Sequence, residues 1–209
     1  MFAYSSKKRV QSGQSMLEAI IATGILVTAI SSALTLVTSS IKASKESETS
    51  ITAGNLAREG VEVVRAIRDS NWLAGKAFDD SLFSATDYSG IAIFDPVANS
   101  WSINYAAADS TTDSAAKVWR SNGAAAGTTL GLLLQAAAQP TDTTATQFNR
   151  IIETIPLCDD GAGSYLVAAP GADCGAAAKI GIDVITRVRW VLGGKERSIV
   201  MQERMFDWR

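Results

Sequence analysis

The sequence predicts an α+β fold in which a long N-terminal helix packs on a small antiparallel sheet. Three observations lead to this fold class: an uncharged run over residues 19–41, apolar side chains at helical spacing over 53–67, and two alternating runs near the C-terminus joined by Gly193-Gly194. An apolar helical stripe is stable when it lies on the apolar face of a sheet. The length of 209 residues suits one ordinary domain with an appendage, or at most two small domains.

The composition argues against catalysis and against nucleic acid as a main partner. The formal net charge is −2, and without residues 1–13 it becomes −5, since 16 basic residues then face 21 acidic ones. The absence of histidine removes the Ser-His-Asp and Cys-His arrangements and the commonest metal ligand. We therefore expect no enzyme, no cofactor and no small-molecule substrate, and the balance of charge gives no electrostatic case for nucleic acid.

The first element is a membrane segment at about residues 16–41. No charged residue occurs from Ala19 to Ile41, and at ~1.5 Å per helical residue this length reaches the ~30 Å of a bilayer core. Three basic residues, Lys7, Lys8 and Arg9, precede it. Because basic flanks favour the cytoplasmic side, we expect a cytoplasmic amino terminus with the rest of the chain outside.

The start of the chain resembles the amino-terminal signature of type IV prepilins and pseudopilins. The residues that carry the resemblance are Lys7-Lys8-Arg9, a short polar spacer, Gly13, and Gln14-Ser15-Met16-Leu17-Glu18 before the long apolar helix. The resemblance implies a leader of residues 1–13, cleavage after Gly13 by a prepilin peptidase, methylation of Gln14, and a role for Glu18 in filament assembly. It covers about the first seventy residues well and the rest in outline.

Two positions depart from the family pattern. Gln14 stands where the family usually has phenylalanine, which weakens the expectation of methylation more than that of cleavage. Thr35 occupies the position of a helix-kinking proline in many major pilins, and no proline occurs before Pro96. The resemblance therefore favours a minor pilin or a pseudopilin.

The placement of Glu18 has a physical rationale within this interpretation. Cleavage would create a free amine at Gln14, one helical turn from Glu18. Burying either charge alone in lipid is costly, so an amine and a carboxylate on neighbouring helices stabilise one axial register.

Two other interpretations of the segment remain open. An ordinary secretory signal peptide also has a basic start and an apolar core, and Ser31-Ser32-Ala33 would be its cleavage site. A plain single-pass anchor would place Glu18 at the interface between lipid and water.

The long helix is expected to run over residues 14–70, with a globular α+β head over 71–209. Beyond residue 52 its apolar residues lie within one third of the helical wheel and its charged residues lie opposite. Arg58 with Glu62, and Arg65 with Asp69, are four residues apart and can pair. A solvated surface is favoured for this charged face, with subunit contacts as the alternative.

Short apolar runs separated by turn residues predict strands in the head. Residues 91–94, 101–105 and 150–155 have this pattern, with a turn over 95–100 between the first two. The stretch 106–147 is rich in Ala, Ser, Thr and Gly. It receives no firm assignment, although Leu130–Leu134 suits a short helix or strand.

The C-terminal hairpin has a definite predicted register. Gly193-Gly194 is typical of a two-residue turn, so Leu192 should pair with Lys195. The register then places most large apolar residues on one face. The expected partners are Ile182 with Met205, Val188 with Ile199, Trp190 with Arg197, and Asp183 with Arg204 on the other face.

Cys158 and Cys174 predict a disulfide over two free thiols. They enclose a turn-rich loop, and one disulfide suits an exported chain. The loop carboxylates Asp159, Asp160 and Asp173 lack the ligand spacing of a calcium site, so a solvated loop is favoured and no metal is expected. Basic residues of 187–209 interleave with acidic ones, which favours a polar hairpin face over single-stranded DNA binding.

The resemblance implies a structural subunit, a minor pilin of a type IV pilus or of a related pseudopilus. Its partners would be other pilin subunits, the prepilin peptidase and the inner membrane, with later display at the cell surface. The alternative is an exported or membrane-anchored adhesin, or a ligand-binding head, carried by an ordinary signal or anchor segment.

Overall fold

The structure is a computed structural model that describes residues 12–84, 87–123 and 130–207, with side chains from residue 15. It divides into two units, Met1–Glu48 and Thr49–Arg209. Lys7, Lys8 and Arg9 lie outside the described residues. The elements are one helix, α1 (Ser12–Leu73), a 3-10 turn (Ser114–Ala116) and the strands β1 (Ser89–Asp95), β2 (Ser100–Asn104), β3 (Lys117–Ser121), β4 (Leu133–Gln135), β5 (Thr143–Asp159), β6 (Tyr165–Val167), β7 (Lys179–Leu192) and β8 (Lys195–Phe206).

The expected fold class is confirmed in its main features, because the segment 49–73 of a long N-terminal helix packs against an antiparallel sheet. Helix α1 runs to Leu73, three residues beyond the predicted end. Its end is set by Gly75, whose φ of 70° is disfavoured for other residues. The Lys76 N–H then donates to the Asn71 carbonyl at 2.9 Å, a common way to close a helix.

The long strand β5 is the centre of the sheet. Strand β7 pairs along one side of it, and β3, β1 and β6 pair along the other. Strand β8 lies beyond β7, β2 beyond β1, and β4 beyond β3. Every pairing among the described strands is antiparallel. Because β8 pairs with β7 alone, it lies at an outer edge of the described sheet.

The predicted register of the C-terminal hairpin is confirmed. Leu192 pairs with Lys195 around Gly193 and Gly194, whose φ values of 59° and 75° suit the tight turn. All four expected partnerships form, including Ile182 with Met205 and Asp183 with Arg204.

The other strand predictions are confirmed in position, and the unassigned stretch adds the 3-10 turn Ser114–Ala116 and three strand segments. Residues 91–94 lie in β1, and 150–155 lies within β5. Of the predicted strand 101–105, residues 101–104 lie in β2, which pairs with β1 around a turn, whereas Tyr105 lies just beyond it. The stretch 106–147 contributes β3, β4 and the start of β5. Residues 124–129 lie outside the described part of the chain.

The core of the head lies between α1 and the helix-facing side of β5, β7 and β8. Near the start of the unit Thr49–Arg209, helix and sheet meet in one cluster, which contains Ala53, Leu56, Ala57, Phe148, Val188 and Trp190. Further along, a second cluster contains Val61, Val64, Ile67, Ile152, Ile182, Val184 and Met205. The helical segment 49–73 therefore follows the length of β7, with its C-terminal end toward Ile182.

Helix and sheet approach most closely at Gly60. A Cβ built on Gly60 would lie 2.7 Å from both Cγ2 and Oγ1 of Thr186, whose side chain is fully buried. Such a distance is below any normal contact, and a β-branched side chain within a sheet has little freedom to move away.

We expect Gly60→Ala to lower the free energy of unfolding by ~1–3 kcal/mol through overpacking, despite the better helix propensity of alanine. Gly54→Ala is the matched control, since no atom lies within 4 Å of a Cβ at Gly54; there the propensity gain of up to ~1 kcal/mol should stabilise the head. Adding Thr186→Ala to Gly60→Ala should recover stability. The free energies of unfolding are measured with urea. Equal changes for Gly54→Ala and Gly60→Ala would show that the close approach to Thr186 does not restrict the side chain at position 60.

The sheet is also partly covered on the face away from α1. A smaller cluster there contains Ile91, Ala108, Ala115, Ala116 and Ile151. Because both faces of β5 are covered, adjacent residues such as Ile151 and Ile152 are buried together. This explains why residues 150–155 lack the clean alternation of a half-exposed strand.

Candidate functional site

The first half of α1 exposes apolar side chains around its whole circumference. Twelve large apolar residues are each more than half exposed, from Met16 at 74% to Ile41 at 64%: Met16, Leu17, Ile20, Ile21, Ile25, Leu26, Val27, Ile30, Leu34, Leu36, Val37 and Ile41. A helix that is apolar all round belongs in lipid or in a protein interior. Among the described residues, α1 alone is long and apolar enough to cross a membrane, so it can anchor the chain in one.

The hydroxyl groups in this segment have partners within the helix itself. Thr23 donates to the carbonyls of Ala19 and Ile20, and Ser31 donates to Val27, all at 2.8–2.9 Å. The same pattern holds for Thr28, Ser32, Thr35, Thr38 and Ser39. Since unsatisfied polar groups are costly in lipid, these bonds make the Ser and Thr residues compatible with a bilayer.

Glu18 is the charged residue within the apolar half of α1, and its side chain is exposed. The backbone of Gly13 and Gln14 is helical, four to five residues before Glu18, whereas the side chain of Gln14 lies outside the described residues. Cleavage after Gly13 and pairing of Glu18 with an amine at Gln14 stay predictions.

The charged face of the second half of α1 contacts the sheet as well as solvent. Arg65 pairs with Glu62 at 2.5 Å and with Glu203 of β8, whereas Asp69 pairs with Arg68 at 2.8 Å. The expected Arg65–Asp69 pair was therefore wrong, because Arg65 turns toward the sheet edge. Arg65 donates hydrogen bonds to the Glu203 and Glu62 carboxylates, and these bonds raise its pKa.

A buried arginine joins the helix to the sheet, and sequence reasoning missed it. Arg150 of β5 is 2% exposed and donates from Nε to Gln135 Oε1 at 2.8 Å and from Nη1 to the Leu56 carbonyl of α1 at 3.2 Å. Its Nη1 lies 3.4 Å from Oε1 of Glu59, whose side chain is 38% exposed. Burial lowers the pKa of Arg150, and the Glu59 carboxylate opposes that shift.

Gln135 completes this cluster from the neighbouring strand β4. Its Nε2 donates to the carbonyls of Ala116 and Arg150 at 2.9 and 2.8 Å. The signal in the sequence was the position of Arg150 two residues before Ile152, on the helix-facing side of a predicted strand. An arginine at such a position needs buried partners.

The predicted disulfide is confirmed. Cys158 at the end of β5 is bonded to Cys174, with their Cα atoms 5.4 Å apart. The loop is also attached through Lys179, whose Nζ lies 2.9 Å from Asp79 Oδ2 and 3.5 Å from Asp173 Oδ1. Among the described residues, no cluster of three or more carboxylate, cysteine or histidine side chains is arranged to hold a metal ion.

Two carboxylates of this loop are held by backbone groups. N–H groups of Ala162 and Ser164 donate to Asp160 and lower its pKa. The N–H of Cys174 lowers the pKa of Asp173 in the same way, with a further contribution from Lys179. Asp160 and Asp173 thus stabilise the turns of the loop.

No protein-family model, curated protein or solved structure matches this chain.

Proposed function

We propose that this chain is a type IV pilin-like subunit, a minor component of a pilus or of a related pseudopilus. It would be cleaved after Gly13 by a prepilin peptidase and anchored in the inner membrane by residues 16–41, with the head outside. It would then join other pilin subunits in a filament that reaches the cell surface. The work of such a subunit is assembly and not catalysis.

The observation that carries the proposal is a single carboxylate, Glu18, near the start of an exposed apolar helix that continues into the core of the head. In a simple membrane anchor a lone carboxylate would make insertion less favourable, since placing a charge in a bilayer is costly. The charge is useful where a neighbouring helix offers an amine, as cleavage before Gln14 would provide. The hydroxyl bonds within the helix and its unbroken course past Ser31-Ser32-Ala33 also support the proposal.

Amino-terminal sequencing of the mature protein tests the proposal. We expect the mature chain to begin at Gln14, and we expect Gly13→Val to leave the chain uncut, because the peptidase should require a residue without a side chain at that position. Gly24→Val is the matched control, since a Cβ at Gly24 meets no atom within 4 Å. A start at Leu34, or an intact Met1, would support the exported or anchored head instead.

A further inference from the structure

Strand β8 presents an open edge along its whole length. Among the described residues, β8 pairs with β7 alone. The pair of Leu192 with Lys195 closes a two-residue turn and is therefore a hydrogen-bonded pair, so odd-numbered residues of β8 bond toward β7. The Asp207 N–H, which donates to the Ile180 carbonyl at 2.8 Å, follows the same alternation. Even-numbered residues from Glu196 to Arg204 thus direct their N–H and C=O groups away from the sheet.

Open edges of this length are usually blunted by charged side chains, and β8 carries five of them. Their order, however, is self-complementary. When β8 is laid antiparallel to a second β8 with Val200 opposite Val200, opposite charges face each other on both faces of the sheet. The partners are Arg197 with Glu203, Glu196 with Arg204, Ile199 with Met201, and Ser198 with Gln202, each occurring twice.

The neighbouring registers lack this complementarity. A shift that centres the pair on Met201 sets Ile199 against Glu203 and Glu196 against Phe206. A shift that centres it on Ile199 leaves Lys195 with Glu203 as the single pair of opposite charges. A register that pairs odd-numbered residues of one β8 with even-numbered residues of the other would set helix-facing side chains opposite outward-facing ones. Directly opposite residues in a continuous sheet lie on the same face, so such a register is forbidden.

We propose that β8 binds the β8 strand of a second copy of this chain, antiparallel and centred on Val200. Main-chain hydrogen bonds between the two edges supply affinity, and the charge pairs select the register. In that register Glu203 shares its carboxylate between Arg65 of its own chain and Arg197 of the second copy, and Glu196 shares its carboxylate between Arg189 of its own chain and Arg204 of the second copy. Val200 is 51% exposed, and its outward N–H and C=O meet those of its counterpart at the two-fold axis.

The direction of this contact follows from the packing of α1. Because the helical segment 49–73 follows β7, a two-fold axis perpendicular to the sheet sets the two segments antiparallel. In the proposed dimer the helical segments of the two heads therefore run in opposite directions. This arrangement differs from a stack of subunits whose helices are parallel. It rests on the described head alone and stands independently of the proposed function.

Cysteine cross-linking of the purified full chain in detergent tests the register. The described cysteines are both in the native disulfide, so an introduced cysteine is the new free thiol. Val200→Cys places two thiols on residues whose Cα atoms are ~5.5 Å apart, within disulfide reach. Ser198→Cys is the matched control, since the two Ser198 residues would be ~13 Å apart along the strands at ~3.3 Å per residue.

We expect a covalent dimer for Val200→Cys at least ~10-fold faster than for Ser198→Cys, because distance limits the latter. Mixing Ser198→Cys chains with Gln202→Cys chains should restore cross-linking. Equal rates for the two single variants, or no dimer of Val200→Cys, would overturn the proposal. Neither result would bear on cleavage after Gly13.

A proline variant tests the main-chain bonds without a new thiol. Val200→Pro removes an N–H that points away from β7, so the hairpin should stay folded. We expect this variant to sediment as a monomer and Val200→Ala as a dimer that weakens with added salt. A Val200→Pro chain that dimerises like Val200→Ala would show that β8 is not the contact.

Discussion

Glu18→Lys is expected to leave the chain in the membrane and to exclude it from filaments. If Glu18 pairs with the Gln14 amine of an adjacent subunit, lysine would set two positive groups against each other in a medium of low dielectric. Glu18→Ala should reduce incorporation less severely, since it leaves the amine without a counter-charge. Alanine also makes insertion of the span easier by up to ~3 kcal/mol, so anchoring and assembly should respond in opposite directions.

The measurement is the ratio of this protein in sheared filaments to that in membranes. Thr23→Ala is the matched control, because it removes a side chain that bonds to its own helix and changes no charge. Cleavage after Gly13 should be the same in all variants. If wild type, Glu18→Ala and Glu18→Lys enter filaments equally, Glu18 lies at the lipid interface and has no role in assembly.

The second large effect is expected at Arg150. Arg150→Ala should lower the free energy of unfolding of the head by ~3–5 kcal/mol, because it opens a cavity and leaves Gln135 Oε1 without its charged donor. Arg150→Met should recover part of this loss, since it fills the volume without replacing the hydrogen bonds. The difference between the two variants separates packing from hydrogen bonding.

Urea unfolding followed by tryptophan fluorescence measures this effect in the detergent-solubilised full chain. All five tryptophans lie between Trp72 and Trp208, so the signal reports on the unit Thr49–Arg209. Lys76→Ala is the control, because it removes an exposed pair with Asp80 that should contribute less than ~1 kcal/mol. A loss at Arg150→Ala no greater than at Lys76→Ala would mean that the buried cluster is not needed for the fold.

The C-terminal hairpin could be predicted from the sequence to the level of individual partners. Gly193-Gly194 determines the turn, and the alternation on either side determines which face is apolar, so one choice of register satisfies both. The continuity of α1 was equally accessible, because a helix needs local signals alone. Its end was placed too early because the predicted helix followed the amphipathic pattern, whose last charged residue is Asp69, whereas Gly75 provides the actual stop.

The environment of Arg150 could not be predicted, because it depends on pairings between distant residues. Strand β4 has three residues and is followed by three alanines, so nothing local indicates that Gln135 lies beside β3 with its side chain on Arg150. The pairing of Arg65 with Glu203 likewise joins residues 138 positions apart. For the apolar segment 16–41, in contrast, a helix able to cross a membrane was predictable, because length and apolar composition alone determine that ability.

The course of the helical segment 49–73 along β7 determines how the head resists a pulling force. Its contacts extend from Ala53 to Trp72, and they include the close approach of Gly60 to Thr186 and the bond from Arg150 to Leu56. A pull at Thr49 along the helix therefore acts on these contacts in parallel, as shear, and they must yield together. Such an interface resists tension far better than one that peels open contact by contact, because its lifetime under force follows the barrier to its concerted rupture.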